Sequence, residues 1–288
     1  MTTSHRDYEP FELAENMEED LGLFEAAALS RQMELDLGTV ASILCVADGS
    51  HQDATVRQLG NQLAARLSAA VSEFAARGAA DEIIAEAKNV DADIIVLPVP
   101  CGEDLARLQS RSLGSVADAL LQSSHIPLLC VRDPLADAAV PLVFNSLLVP
   151  LSRADRPSMT AIAWALRLAG QKGSIVLLEW ADQGALADAQ SLMQGRQEGR
   201  SVQQAVIGRA VASRLGSLIG AVQRHAASQF LNVRVEFRAG NPVQETLALA
   251  ESLGPALIIA ARPADHVSAG YHFVEDLLLS TRRPVLIV

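Results

Sequence analysis

Short apolar runs alternate along this chain with stretches in which apolar residues recur at every third or fourth position. The alternation is clearest in the second half. Leu147 to Leu151 predicts a buried strand, and Met159 to Ala169 has helical spacing. Ile175 to Trp180 predicts another strand. A long helical stretch then runs from about Val202 to Phe230, with Val206, Leu215, Ile219, Val222 and Ala226 on its apolar stripe. Val233, Val235 and Phe237 alternate as in a half-buried strand, which Gly240-Asn241-Pro242 ends. A helix over Val243–Leu253, a strand over Ala256–Ala261, a helix near Phe273–Thr281 and a last apolar strand complete this half. Short apolar strands separated by helices imply a mostly parallel sheet covered on both faces. Right-handed crossovers restrict that sheet to a doubly wound order.

The first half opens with a predicted helix over Glu12–Leu37, striped by Leu13, Met17, Leu21 and Phe24. A strand over Val40–Ala47 and a helix over about Ala54–Ala70 follow. Beyond them, three segments recur in the second half, in the same order and about 160 residues later. Phe74-Ala75-Ala76-Arg77-Gly78 with Glu82–Ala87 matches Phe237-Arg238-Ala239-Gly240 with Glu245–Ala250. Ala92–Leu97 matches Pro255–Ala260, and Ile126–Val131 matches Arg283–Val288. One domain has been duplicated. The expected units are 1–135 and 142–288, joined by the Pro/Ala/Asp stretch Asp133 to Pro141. Two parses of the first unit are open. In the favoured one Val40–Ala47 is the counterpart of Ile175–Trp180, and the first strand is absent. In the other Val40–Ala47 is itself strand one, and a later strand–helix pair was lost.

Composition narrows the partners. Asp and Glu total 34 against 23 Lys and Arg, a net charge of −11, and no basic run appears. Such a field repels nucleic acid and anionic membrane surfaces. No apolar run approaches the roughly 18 residues of a membrane span, and Met1–Pro10 lacks a secretion signal pattern. The three cysteines, Cys45, Cys101 and Cys130, are too widely spaced for a disulfide framework or a zinc site. These features predict a cytoplasmic protein without membrane insertion.

The blocks Asp91–Leu97, Leu113-Gly114-Ser115-Val116-Ala117-Asp118 and His125–Val131, in this order and spacing, resemble the universal stress protein (UspA-like) family in tandem form. The resemblance implies two tandem doubly wound parallel-sheet α/β sandwiches of the adenine nucleotide alpha hydrolase-like kind. It also implies that the two final strands, Leu128–Val131 and Val285–Val288, pair with each other within the chain or between chains, covering edges that would otherwise aggregate.

ATP-binding members of the family share a loop G-x2-G-x9-G-[S/T] after the fourth strand. Its glycines let backbone N–H groups reach phosphate oxygens, and its final Gly-Ser opens a helix whose N-terminus favours anions. Here the loop runs from Pro98 to Gly114, with Pro98 and Cys101 in glycine positions and a few extra residues. Gly102 is placed to stand in for one glycine, and Gly114 and Ser115 match, so these three form the residual nucleotide-binding set. In the second half Ala261 replaces the first glycine, and Tyr271 and His272 fall where Gly-Ser belongs. Glu275 and Asp276 follow, where they would repel a polyphosphate. Ser152 stands at the position of the family's adenine-facing Asp, and only the second parse offers Asp48 for that place in the first half. ATP binding is therefore expected to be weak or lost, and no cofactor is expected.

Other candidates have plainer readings. Cys101 reads as a structural or incidental loop thiol rather than a reactive one, and Cys45 and Cys130 as core residues. His266 and His272 lack a well-spaced third ligand for a metal. Arg282-Arg283 complements a helix C-terminus, and Asp188–Arg200 reads as a solvated loop. No nucleophile–base pair or dinucleotide fingerprint appears, so an enzyme is not expected. The expected role is regulatory or scaffolding, through contacts with an unidentified protein partner and with homodimerisation open. The alternatives are a nucleotide sensor using Gly114-Ser115 with Arg107–Arg111, and a cytosolic regulatory tail related to transporters.

Overall fold

The computed structural model of the 288-residue chain describes residues 39–76, 78–103, 112–151, 156–169, 173–181, 219–220, 222–227, 230–254, 256–262 and 269–288. The expected helix Glu12–Leu37 lies outside them, as do Ser152, Arg107–Arg111, Asp188–Arg200 and His266.

Nearly continuous apolar runs form the central strands, as required where both faces of a sheet are covered. In chain order the first half contains β1 (Ser42–Ala47), α1 (Asp53–Leu67), β2 (Ala70–Ala75), α2 (Ala80–Asn89), β3 (Ile94–Pro98), α3 (Ser115–Ser123) and β4 (Leu128–Val131). A 3-10 turn, Val140–Asn145, buries Val143 and Phe144 and leads into the second half. There follow β5 (Ser146–Leu151), α4 (Arg156–Leu168), β6 (Ser174–Ala181), β7 (Asn232–Ala239), α5 (Pro242–Ser252), β8 (Leu257–Ala260), α6 (Ala269–Ser280) and β9 (Val285–Ile287). Residues 219–220 and 222–227, within the expected long helix, are helical.

All the described strands join one nine-stranded sheet in the order β2-β1-β3-β4-β9-β8-β5-β6-β7. Every pairing is parallel except β4 with β9, where Leu128, Leu129 and Cys130 oppose Ile287, Leu286 and Val285. The two halves thus cover each other's final strands within the chain.

Strand alternation sorts the core into two layers. Ile43, Cys45, Val96, Leu129, Val149 and Ile259 face α1 and α4 on one side. Leu44, Val46, Leu97, Cys130, Leu148 and Ile258 face α2, α3, α5 and α6 on the other.

Matching hydrogen bonds mark the duplication. Ile95 N–H donates to the Pro127 carbonyl at 2.9 Å, as Ile258 N–H does to Pro284 at 3.1 Å. Val99 N–H donates to Val131 at 2.6 Å, as Arg262 N–H does to Val288 at 2.6 Å. β3 and β8 are therefore counterparts, and their neighbours decide between the two parses. β8 lies beside β5, and β3 lies beside β1. β1 consequently holds the place of β5, which is strand one, and the favoured parse with an absent first strand is corrected. Among the described residues the first half is one strand short at its outer edge. β2, whose sequence matches β7, has moved inward to pair with β1, because no strand–helix unit intervenes to keep it one place out.

A second correction concerns the first helix. The sequence extends it to Ala70, but Ser68 turns into the left-handed region (φ 57) and donates its N–H to the Ala64 carbonyl. That cap frees Ala70 to begin β2.

Candidate functional site

In doubly wound sheets ligands bind outside the carboxyl ends of the strands, where the strand order reverses. In the first half this place is the crevice between the ends of β1 and β3. It holds Asp48 after β1, Cys101, Gly102 and Glu103 after β3, and Gly114-Ser115 at the start of α3. The structure brings the predicted residues Gly102, Gly114 and Ser115 into this one region.

Each of their backbone donors is already engaged. Glu103 lays its carboxylate over the N-terminus of α3, where its Oε1 accepts the Ser115 N–H at 2.7 Å and the Ser115 hydroxyl at 2.5 Å. Gly114 N–H donates to the Ser112 hydroxyl at 3.1 Å. Gly102 N–H donates to Asp48 Oδ2 at 2.8 Å. Ser115 therefore offers its amide and hydroxyl to a carboxylate from its own chain, in the geometry that suits an anion at a helix N-terminus.

The glycines are required by this packing. Gly102 adopts φ +69, and a Cβ there would lie 2.9 Å from Gly78 Cα. Gly114 adopts φ +90, and a Cβ would crowd Pro100 at 3.0 Å and the Glu103 carboxylate at 3.1 Å. They bring the loops after β1, β2 and β3 together and close the crevice.

Asp48 fills the strand-one position that the favoured parse left without an acid. Its Oδ1 accepts the Ser50 N–H at 2.9 Å, and its Oδ2 holds Gly102. Asp53 in turn accepts the N–H groups of Asp48 and Gly49, at 3.1 and 3.0 Å. Burial works to raise the Asp48 pKa, but the hydrogen bonds from Ser50 and Gly102 outweigh it and hold the carboxyl below its ordinary range.

The surroundings are electronegative. Asp118, in the first turn of α3, has its Oδ1 buried with no hydrogen-bond partner among the described residues. Burial, then the charges of Glu275 and Glu103, push its pKa up. Cys101 is fully buried, and burial with the nearby Asp48, Asp53 and Glu103 pushes its thiol up to about 12, far from a reactive thiolate. Cys45 and Cys130 are buried free thiols, likewise pushed up to about 12.

The second half has a different arrangement. Arg262, the counterpart of Val99, turns away from the strand ends and crosses to the first half. Its guanidinium donates to the carbonyls of Leu121 at 3.2 Å, Ser124 at 2.5 Å and Ile126 at 2.8 Å, closing the C-terminus of α3. In the reverse direction, Arg132 donates to the Leu278 carbonyl of α6 at 3.2 Å. Tyr271 and His272 lie within helix α6 and not in a loop before it. His272 Nδ1 is 3.7 Å from Glu275. Among the described residues no group of three or more His, Cys, Asp or Glu side chains is placed to hold a metal ion, and no helix is long and apolar enough to cross a membrane.

Sequence reasoning singled out the donors of this site and missed Glu103, which takes up those of Ser115, and Arg262, which is bound across the seam in the second half. Glu103 is an isolated loop acid twelve residues from its partner in the chain, and no local pattern marks such a residue.

Comparison with known proteins bears on the fold and the family. A universal stress protein from Archaeoglobus fulgidus DSM 4304 is 15% identical over 85% of this chain and 97% of its own, with a TM-score of 0.52. A functionally unknown protein from Pseudomonas aeruginosa PAO1 is 14% identical over 86% of this chain and 92% of its own, also with a TM-score of 0.52. At such identities the likeness is one of fold. No curated protein matches the sequence. The profile of the Universal stress protein family matches residues 46–132 and again 144–288. The chain therefore belongs to the universal stress protein family, in a form that carries the family's domain twice.

Proposed function

We propose that this protein is a non-enzymatic, cytoplasmic member of its family that has lost ATP binding and serves a regulatory or scaffolding role through contacts with other proteins. Its two units are 1–135 and 142–288, fastened through their final strands. One observation carries the reading: the Glu103 carboxylate takes both the amide and the hydroxyl of Ser115, the groups that a phosphate would need. An incoming polyphosphate must displace that carboxylate and then meet Asp118 and Glu275, with no described cation at the crevice to offset them. In the second half, the arginine beside the corresponding strand end is committed to the seam between the halves. What the duplicated scaffold retains is a large buried core and a fixed surface, which suit a protein-binding platform.

Isothermal titration of the full chain with ATP, ADP and cyclic dinucleotides tests this. No heat of binding is expected, and native mass spectrometry of gently purified protein should show no retained nucleotide. Micromolar binding that Ser115→Glu abolishes would overturn the proposal and favour a nucleotide sensor.

A further inference from the structure

Strand β7 is the outer edge of the second half. It pairs with β6 and, among the described residues, with no second strand. A row of unpaired backbone groups is a template for another strand. Exposed apolar side chains gather at this edge. Phe230, just before β7, is 85% exposed, and Phe237 within it is 38% exposed.

We propose that β7 is a self-association surface, which pairs antiparallel with β7 of a second copy of this chain about a twofold axis at Val235. The order of its side chains carries the argument. Val233, Val235 and Phe237 lie on one face of the strand, and Arg234, Glu236 and Arg238 on the other. With Val235 opposite its own copy, Arg234 of each chain faces Glu236 of the other. Val233 faces Phe237, and Asn232 faces Arg238. Directly opposed pairs of opposite charge, and apolar pairs, are the units that stabilise such a ladder. Neighbouring registers are rejected. A shift of two residues sets Arg234 against Arg234 or Glu236 against Glu236. A slip of one sets charged residues against apolar ones.

Charged side chains on an edge strand guard it against pairing, but the signs on this one are self-matching, so they guard against other registers and partners and not against this one. Within a single chain Glu236 lies 3.5 Å from Arg234 and 3.7 Å from Arg238. These are long, solvent-exposed contacts of little worth, readily exchanged for intermolecular ones. The strip is also locally cationic on a chain of net charge −11, so it is a place where two acidic copies can approach. The opposite edge, β2, has no such pattern. Its one charge, Glu73, is held by Arg57 at 2.9 Å.

The inference is independent of whether the crevice binds nucleotide. Sedimentation velocity and native mass spectrometry of the full chain should show a dimer. Arg234→Glu and Glu236→Arg, each alone, should weaken dimerisation by about tenfold or more, because each sets like charges opposite one another twice. An equimolar mixture of the two variants should form a heterodimer. The doubly exchanged chain, R234E with E236R, should pair with itself. The mixture also guards against misfolding, since recovery of the dimer requires both variants to be folded. A monomeric wild type overturns the proposal, as does a dimer that both single variants retain or a mixture that stays monomeric.

Discussion

Asp118 sits in the first turn of α3, where a carboxylate ordinarily complements the helix dipole. Its Oδ1 is nevertheless buried without a partner among the described residues, and Glu275 and Glu103 lie close enough to oppose its charge. The folded protein therefore binds a proton at Asp118 more tightly than the unfolded chain does. This contribution to stability is fully present below the unfolded value of 3.8 and is lost as pH rises through the higher folded value. Asp118→Asn should accordingly raise the midpoint of urea unfolding at neutral pH, and the gain should vanish as pH falls below the carboxyl range. Asp48 behaves in the opposite sense. Its lowered pKa stabilises the fold above 3.8, and that contribution disappears as pH drops through the folded value. Asp48→Asn should lower the neutral midpoint and release the loop at Gly102. Glu103 acts as the cap of α3, and Glu103→Ala should cost about 1 kcal/mol in denaturant unfolding. The same variant frees the Ser115 amide, so weak binding of inorganic phosphate, absent in the wild type, is expected in titrations. At this scale the sequence was informative about donors, because Gly114-Ser115 is a local pattern. It was silent about Glu103 and about the bond from Gly102 to Asp48, because those contacts are made by folding.

Helix α1 shows how a single missing side chain sets the spacing of two elements. Gly60 packs on β1 directly over the Cys45 thiol, and a Cβ at Gly60 would collide with Sγ. Gly60→Ala should therefore destabilise the protein by roughly 1–3 kcal/mol, despite the better helix propensity of alanine. Combining it with Cys45→Ala should recover most of the loss, a coupling that a double-mutant cycle of thermal unfolding measures. The elements themselves were largely legible in the chain. β1, β3, β5, β6 and β8 are compact apolar runs, and α4 and α5 have clear helical spacing. β2 was not legible. Its sequence Ala70–Ala75 contains only Val71 and Phe74 as large apolar residues, and the preceding helical pattern runs into it without a break that composition reveals. Strand order was hidden for another reason: it depends on which strands hydrogen-bond, and β1 fits either place by composition alone.

For the whole molecule, the seam between the halves is decisive. β4 and β9 join the two parallel sheets, and Arg262 and Arg132 each close the final helix of the opposite half. On the other face, Arg66 donates to the Leu168 carbonyl at 3.0 Å and to Asn145 at 3.1 Å, with its guanidinium over the Phe144 ring. Arginine thus crosses the seam on both faces. The halves should unfold together, in one calorimetric transition. Arg262→Met leaves three carbonyls at the end of α3 without their charged donor, and a loss of about 2–4 kcal/mol is expected. Splitting of the single transition into two, in that variant, would be the sign that the seam has been loosened.

The antiparallel joint also orders events during synthesis. β4 leaves the ribosome early, yet the strand that covers it, Val285–Ile287, is made after every other strand of the sheet. Until then the nascent first half presents an uncovered apolar margin to its surroundings, and such intermediates are prone to aggregate. A need to shield that margin until β9 is available follows from where that last strand has to go.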